Sequence, residues 1–343
     1  MILSAVRVRS NAVLLIALAV TSAATAQSVK PYSIFATGSA VGATAPDSIA
    51  VGRGSVWVSY ANGADSTGKT GKSAIVQYDL KGKVRHQYSI AGSVDGLKLE
   101  PETGLVWALQ NQDGNSTLTL IDPEHGITPN SPLQYAVLSA SRGYDDVVFL
   151  GEKIFMSYTN PSASPDATIQ RLENRSSPLK FSDVLTMGAT GTDLATGKHN
   201  QPTSQNDPDS LKLTPEGGLM LSSGDDGQLI FVEHPGQSNQ SVSFLSLLDP
   251  STGMGVSGLD DALFATAEKG TFYLTNTGGN QVLTIEAEDL PIGSLYANVD
   301  SLNEFAKVDL KTGLVHALVN NLNGPHGLVF VPHREGEDQE GDQ

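Results

Sequence analysis

Six residues of this chain share one register. Asp47, Asp95, Asp145, Asp209 and Asp260 each open a short apolar run, and His326 opens a sixth. Carboxylates gathered at one point attract a hard cation such as Ca²⁺ or Mg²⁺, which takes oxygen ligands. Crowding also raises carboxyl pKa values, so members without a partner hold protons or recruit a cation. A histidine among them adds a group that moves protons near pH 7. The pattern describes a cation site built from the five aspartates, with His326 as the candidate general base. A second reading stays open: each aspartate accepts backbone N–H groups where one structural unit meets the next, a capping role.

The segments after each second apolar run carry Tyr60, Asn62, Gln110, Asn111, Tyr158, Asn160, Asp225, Asp226, Asn276 and Asn280. Among these, Tyr60, Asn62, Asn111, Tyr158, Asn160 and Asn276 are expected to rim the mouth of an acidic well, where amides and phenols suit a small neutral or cationic molecule. Asn, Asp and Gly are also what tight hairpins require, as at Asp113-Gly114 and Asp226-Gly227. Other motifs carry no chemistry. Ser66 to Ser73 ends Gly71-Lys72-Ser73 like a phosphate loop but lacks its first glycine and a following helix, which excludes a nucleotide site. Ser257 is one glycine out of step with a nucleophile elbow. The remaining histidines have no ligand spacing, so neither zinc nor haem is expected.

A repeat must position the six residues. Period-2 apolar runs of four to six residues alternate with Gly, Asp, Asn and Pro, and no stretch has a helical period. The clearest unit reads Pro46-Asp47-Ser48-Ile49-Ala50-Val51, a turn at Gly52-Arg53-Gly54, then Ser55-Val56-Trp57-Val58-Ser59-Tyr60. It returns from Asp95 with Leu105-Val106-Trp107, from Asp145 with Ile154-Phe155-Met156, from Asp209 with Leu219-Met220-Leu221, and from Asp260 with Thr271-Phe272-Tyr273-Leu274. A sixth copy begins at Pro325-His326-Gly327-Leu328 and stops. Inner strand, turn, second strand and third strand are the layout of a propeller blade. The fold class is therefore all-β, a single β-propeller of six blades, with five or seven as alternatives. The incomplete sixth unit predicts closure by the N-terminal segment Tyr32 to Ala36, which removes an exposed edge. Additional strands near Ser294 to Val299 and Glu304 to Leu310 would complete the sixth blade or make another.

Arg7 and Arg9, an apolar run from Ala12 to Val20 and the small residues Ala24-Thr25-Ala26 form a secretory leader, residues 1–26. The propeller is expected over 27–333 and a disordered acidic tail over 334–343. The address is secreted or periplasmic, without membrane insertion, because no apolar run reaches the ~20 residues that span a bilayer. With no cysteine, there is no disulfide, thiolate site or lipid-attachment site. The net charge of −16 becomes two units more negative once Arg7 and Arg9 leave with the leader. Nucleic acid is thereby disfavoured as a partner.

Pro46-Asp47-Ser48-Ile49-Ala50-Val51 followed by Val56-Trp57-Val58-Ser59, together with Gly324-Pro325-His326-Gly327-Leu328, resembles the secreted propellers of the NHL-repeat and SMP-30/gluconolactonase-like superfamily. The resemblance covers most of residues 45 to 331 and implies the propeller fold. In its lactonases it implies a divalent cation held by an early Glu-Gly-Pro motif with later Asn and Asp ligands. Here the matching place reads Ala45-Pro46-Asp47-Ser48, without the glutamate. His326 in Gly-Pro-His-Gly is similar to the streptogramin lyase branch. Two functions follow: a binding module that uses the pore face for a small molecule or a protein, and a metal-dependent lactonase or lyase in which His326 is the base.

Overall fold

The computed structural model describes residues 28–333 apart from 128–132, 135 and 177. The expected leader and acidic tail lie outside the described residues. Six inner strands, Pro46–Gly52, Val94–Leu99, Tyr144–Leu150, Pro208–Leu213, Leu259–Phe264 and Pro325–Pro332, each touch the next, and the last touches the first. Each inner strand belongs to its own sheet of at least four strands. The chain is a six-bladed β-propeller.

Blades 1 to 3 are laid down outward from the axis in chain order. Blade 1, for example, runs Pro46–Gly52, Ser55–Tyr60, Lys72–Asp79 and Val84–Ala91. Blade 4 runs outward in order from Pro208–Leu213 and adds Thr190–Asp193, which lies parallel to its outer strand Ser241–Ser246. Blades 5 and 6 break the rule. Leu259–Phe264 pairs with Leu295–Val299, not with the strand that follows it; Glu304–Val308 and Val315–Val319 complete blade 5. The skipped hairpin, Gly270–Asn276 and Gln281–Glu288, belongs to blade 6, where Gly270–Asn276 pairs with Pro325–Pro332. This corrects two sequence expectations. Thr271 to Leu274 is not the partner of the Asp260 strand, and the strands at 294–299 and 304–310 build the fifth blade. The expected N-terminal closure is present: Ser33–Thr37 pairs with Gln281–Glu288 on the outer edge of blade 6.

Hydrophobic burial follows the blades. Six apolar clusters lie one at each interface between neighbours, such as Trp57 and Ile75 of blade 1 against Leu97 and Val106 of blade 2. Leu263 and Tyr296 of blade 5 pack likewise on Phe272 and Leu328 of blade 6. The two tryptophans take part in this packing. Trp57 is stacked on Tyr88, and Trp107 meets Phe149 edge-on while its Nε1–H donates to Glu100. Because apolar area is buried between blades, the axis is left free for polar groups. Truncating a tryptophan so buried costs about 3–5 kcal/mol.

Candidate functional site

Every inner strand breaks register with its neighbour where it opens, for instance between Pro46 and Ile49 and between Tyr144 and Val147. Such bulges re-aim side chains and leave backbone groups without ladder partners. Hydroxyls on the second strands supply some of the missing bonds. Ser59 Oγ accepts from the Ser48 N–H at 3.0 Å, and Ser157 Oγ accepts from the Asp146 N–H at 2.8 Å. The bulges set Asp47, Asp95, Asp145, Asp209, Asp260 and His326 around one cavity of about 310 Å³ at the axis. The register read from the sequence is thus one layer of a real well.

The members of this layer are engaged in different ways. His326 Nδ1 lies 3.0 Å from Asp47 Oδ1 and 3.4 Å from an oxygen of Asp260. The Asp260 charge, with help from Asp47 and against the effect of burial, pushes the imidazolium up to about 10. Burial raises Asp260 itself to about 7, with the His326 charge opposing. Across the well, Asp145 and Asp209 hydrogen-bond to each other, and burial raises both far above the usual carboxylate range. Two carboxyl oxygens in such contact require a shared proton. Asp95 is pushed up to about 8, by burial first and then by the Asp47 charge. Ser93 Oγ donates to one Asp95 oxygen at 3.1 Å, while the other oxygen is buried without a partner. Asp207, also at the wall, is raised by burial and by Asp225. At neutral pH this mouth holds protons on several acids and on His326.

A second layer lies one to three residues deeper on the same strands. Asp146 accepts from Lys98 Nζ at 3.0 Å, from the Leu211 N–H at 3.1 Å and from the Val147 N–H at 2.8 Å. Asp261 accepts from Lys212 Nζ at 2.7 Å, Ser210 Oγ at 2.8 Å and the Leu328 N–H at 2.8 Å. Lys212 Nζ also lies 3.5 Å from Asp146. This belt ties blades 2 through 6 across the axis. Backbone capping between blades, one of the two readings of the aspartates, is carried by Asp146 and Asp261, each one residue beyond the ring.

Sequence reasoning missed Lys98, Lys212, Asp146, Asp261 and Asp207. The signal was a lysine inside an apolar alternation, as in Leu97-Lys98-Leu99 and Leu211-Lys212-Leu213.

None of the expected rim residues lines the well. Tyr60 is fully buried between blades, its hydroxyl 2.7 Å from that of Tyr78. Tyr158 stacks on Tyr144 with the Arg142 guanidinium over its ring. Asn62, Asn111 and Asn160 have positive φ values of 52°, 64° and 52°, a backbone state that asparagine tolerates and turns require. Asn276 Oδ1 accepts from the Asn323 N–H at 2.7 Å. Their residue types were dictated by turn geometry and packing.

Among the described residues, no three His, Asp or Glu side chains are arranged to hold a metal ion. His326 takes up Asp47 and Asp260, and Asp145 is hydrogen-bonded to Asp209, an arrangement held together by protons. Among the same residues, no helix is long and apolar enough to cross a membrane.

No protein-family model matches this chain, and no curated protein does. Solved structures similar to it include a protein of unknown function from Bacteroides caccae, at 10% identity over 84% of this chain and 87% of that one, with a TM-score of 0.49. A periplasmic gluconolactonase of Pseudomonas aeruginosa is 15% identical over 83% and 88%, with a TM-score of 0.48. Virginiamycin B lyase of Staphylococcus aureus is 14% identical over 84% and 92%, with a TM-score of 0.44. Similarity of this degree says nothing of activity, and the blade count rests on strand pairing alone.

Proposed function

We propose that the protein is a binding propeller, exported by its leader, whose acidic channel mouth takes a small organic cation in exchange for protons. The observation that carries this reading is the convergence of Asp47, Asp95, Asp145, Asp209 and Asp260 on one cavity, where burial raises Asp95, Asp145, Asp209 and Asp260 above the usual carboxylate range. An arriving positive charge favours their ionised forms, so uptake of the ligand and loss of protons are one event. A volume of about 310 Å³ lies at the lower end of the roughly 300–1,000 Å³ typical of small-molecule sites. That is room for an amine or guanidine of a few carbons.

The lactonase or lyase reading needs a neutral imidazole to take up a proton. The Asp260 and Asp47 charges push His326 up to about 10, which holds it as the imidazolium at neutral pH. The same imidazolium suits a fixed hydrogen-bond donor better than a base. Calorimetric titration with putrescine, agmatine and choline in buffers of different ionisation enthalpy tests the reading. Binding by at least one probe, with net proton release and affinity rising from pH 6 to pH 8, is expected. Absence of heat with all three, or tighter binding on acidification, overturns it. Hydrolysis of glucono-1,5-lactone that disappears in His326→Ala would establish the catalytic alternative instead.

A further inference from the structure

The end of the channel opposite the mouth is a separate space. The inner strands open at the acidic well, and their closing residues surround a second opening. There Ile49, Val51, Leu99, Leu263, Phe264 and Phe330 wall an apolar funnel of about 490 Å³. A side pocket of about 220 Å³ lies against Leu99, Val148 and Phe149. Lys98 and Lys212 line the funnel, the side pocket and the mouth alike.

Two amines and two carboxylates meet at this waist, and the shares are unequal. Lys212 has Asp261 at 2.7 Å and Asp146 at 3.5 Å, whereas Lys98 has Asp146 alone at 3.0 Å. Both amines lie against Asp146. Lys98 has the weaker hold on carboxylate, and its side chain keeps 22% of its surface accessible. Burial and the Lys212 charge lower the Lys98 ammonium from the ordinary lysine range against the pull of Asp146. At Lys212 the charges of Asp261 and Asp146 outweigh burial and raise it. A desolvated lysine beside a second cation is a known way to make an amine nucleophilic.

We propose that Lys98 captures carbonyl compounds, and that the funnel restricts them to aldehydes with an apolar chain. The Nζ lone pair forms a bond to the carbonyl carbon while the C=O π pair moves to oxygen, which takes a proton from Lys212. The new secondary ammonium returns a proton to Lys212, leaving a neutral carbinolamine. Its nitrogen then expels the hydroxyl, which departs as water with a proton relayed by Lys212 from solvent. The product is an iminium paired with Asp146, and one solvent proton is consumed overall. The apolar walls receive the chain of the aldehyde. This site does not depend on the cation reading of the mouth, and either can fail alone.

The test uses the intact chain at pH 7 with one equivalent of hexanal and sodium cyanoborohydride, which donates hydride and fixes the iminium as a secondary amine. Peptide mass spectrometry then maps the alkylated lysines. Lys98 is expected to label faster than any surface lysine, because its lowered hold on a proton leaves more free amine and the apolar funnel seats the hexanal chain. Lys98→Arg is expected to remove the fast phase; should that variant fail to fold, the map of the unmodified sequence still decides. Label spread over surface lysines with Lys98 untouched, or a fast phase on Lys212, overturns the proposal. Glycolaldehyde, with the same reactive group and no apolar chain, is expected to label Lys98 more slowly than hexanal, and equal rates overturn the apolar selectivity.

Discussion

Asp145 and Asp146 are neighbours in one strand, and both are buried, at 8% and 5% exposure. Burial acts on each in the same direction, yet Asp145 is raised far above the usual carboxylate value and Asp146 is lowered. The difference lies in what faces them. Asp145 meets Asp209, another acid, whereas Asp146 meets two lysines and two backbone N–H groups. The mouth and the waist of one channel, a single residue apart, are therefore electrostatic opposites. In this propeller the waist is built to hold the blades and the mouth to hold protons.

The largest expected effect separates the two layers by mutation. Asp146→Ala leaves Lys98 with no acidic partner and strips Lys212 of one; breaking a buried pair in this way costs about 3–5 kcal/mol. Asp145→Asn keeps a hydrogen bond to Asp209 without a proton shared between two acids and is expected to leave stability unchanged or improved. Urea denaturation of both variants checks this, and equal losses would erase the distinction.

A pH series sharpens the comparison with a smaller effect. The mouth carboxyls keep protons that the unfolded chain has released above about pH 4. Stability therefore falls as pH rises, through about 7 for Asp260 and about 8 for Asp95. His326 acts in the same sense: its contribution is complete below about pH 6.5, the ordinary histidine value, and is lost as pH rises through about 10. Asp146, lowered in the fold, contributes above the ordinary carboxylate value of about 3.9 and loses that contribution as pH falls below it. A melting temperature highest near pH 5 and falling toward pH 8 is expected, with the slope shallower in Asp95→Asn. A curve that is flat or rises between pH 5 and 8 would refute the account of the mouth. The smallest change is Ser93→Ala, which removes the hydroxyl that donates to Asp95. It is expected to cost about 0.5–1.5 kcal/mol, read from the shift in denaturation midpoint.

Much of the architecture was legible because five of the six inner strands announce themselves with an acid, a short apolar run and a turn, and the sixth opens with His326 in the same register. The ring at the axis followed from that register. What the sequence did not disclose was which strands pair in blades 5 and 6. Successive strands joined by a short link usually pair, and the link after Phe264 looks like any other turn, although it carries the chain to a different sheet. The rim failed for another reason: Asn62, Asn111 and Asn160 are selected by backbone φ, and a ligand site would favour the same residue type. Lys98 and Lys212 were visible as charges in apolar runs, but their meaning depends on Asp146 and Asp261 arriving from other blades.

The interlaced blades also set an order of events for a chain made from its N-terminus. Blade 5 lacks its outer strand until residue 319 exists, and Pro325–Pro332 then slots in as the last stave of the barrel wall. That same strand delivers His326 to Asp47 and Asp260. A product that stopped before residue 325 would have neither a closed ring nor a finished mouth, so this closing strand is itself the condition for having a site at all.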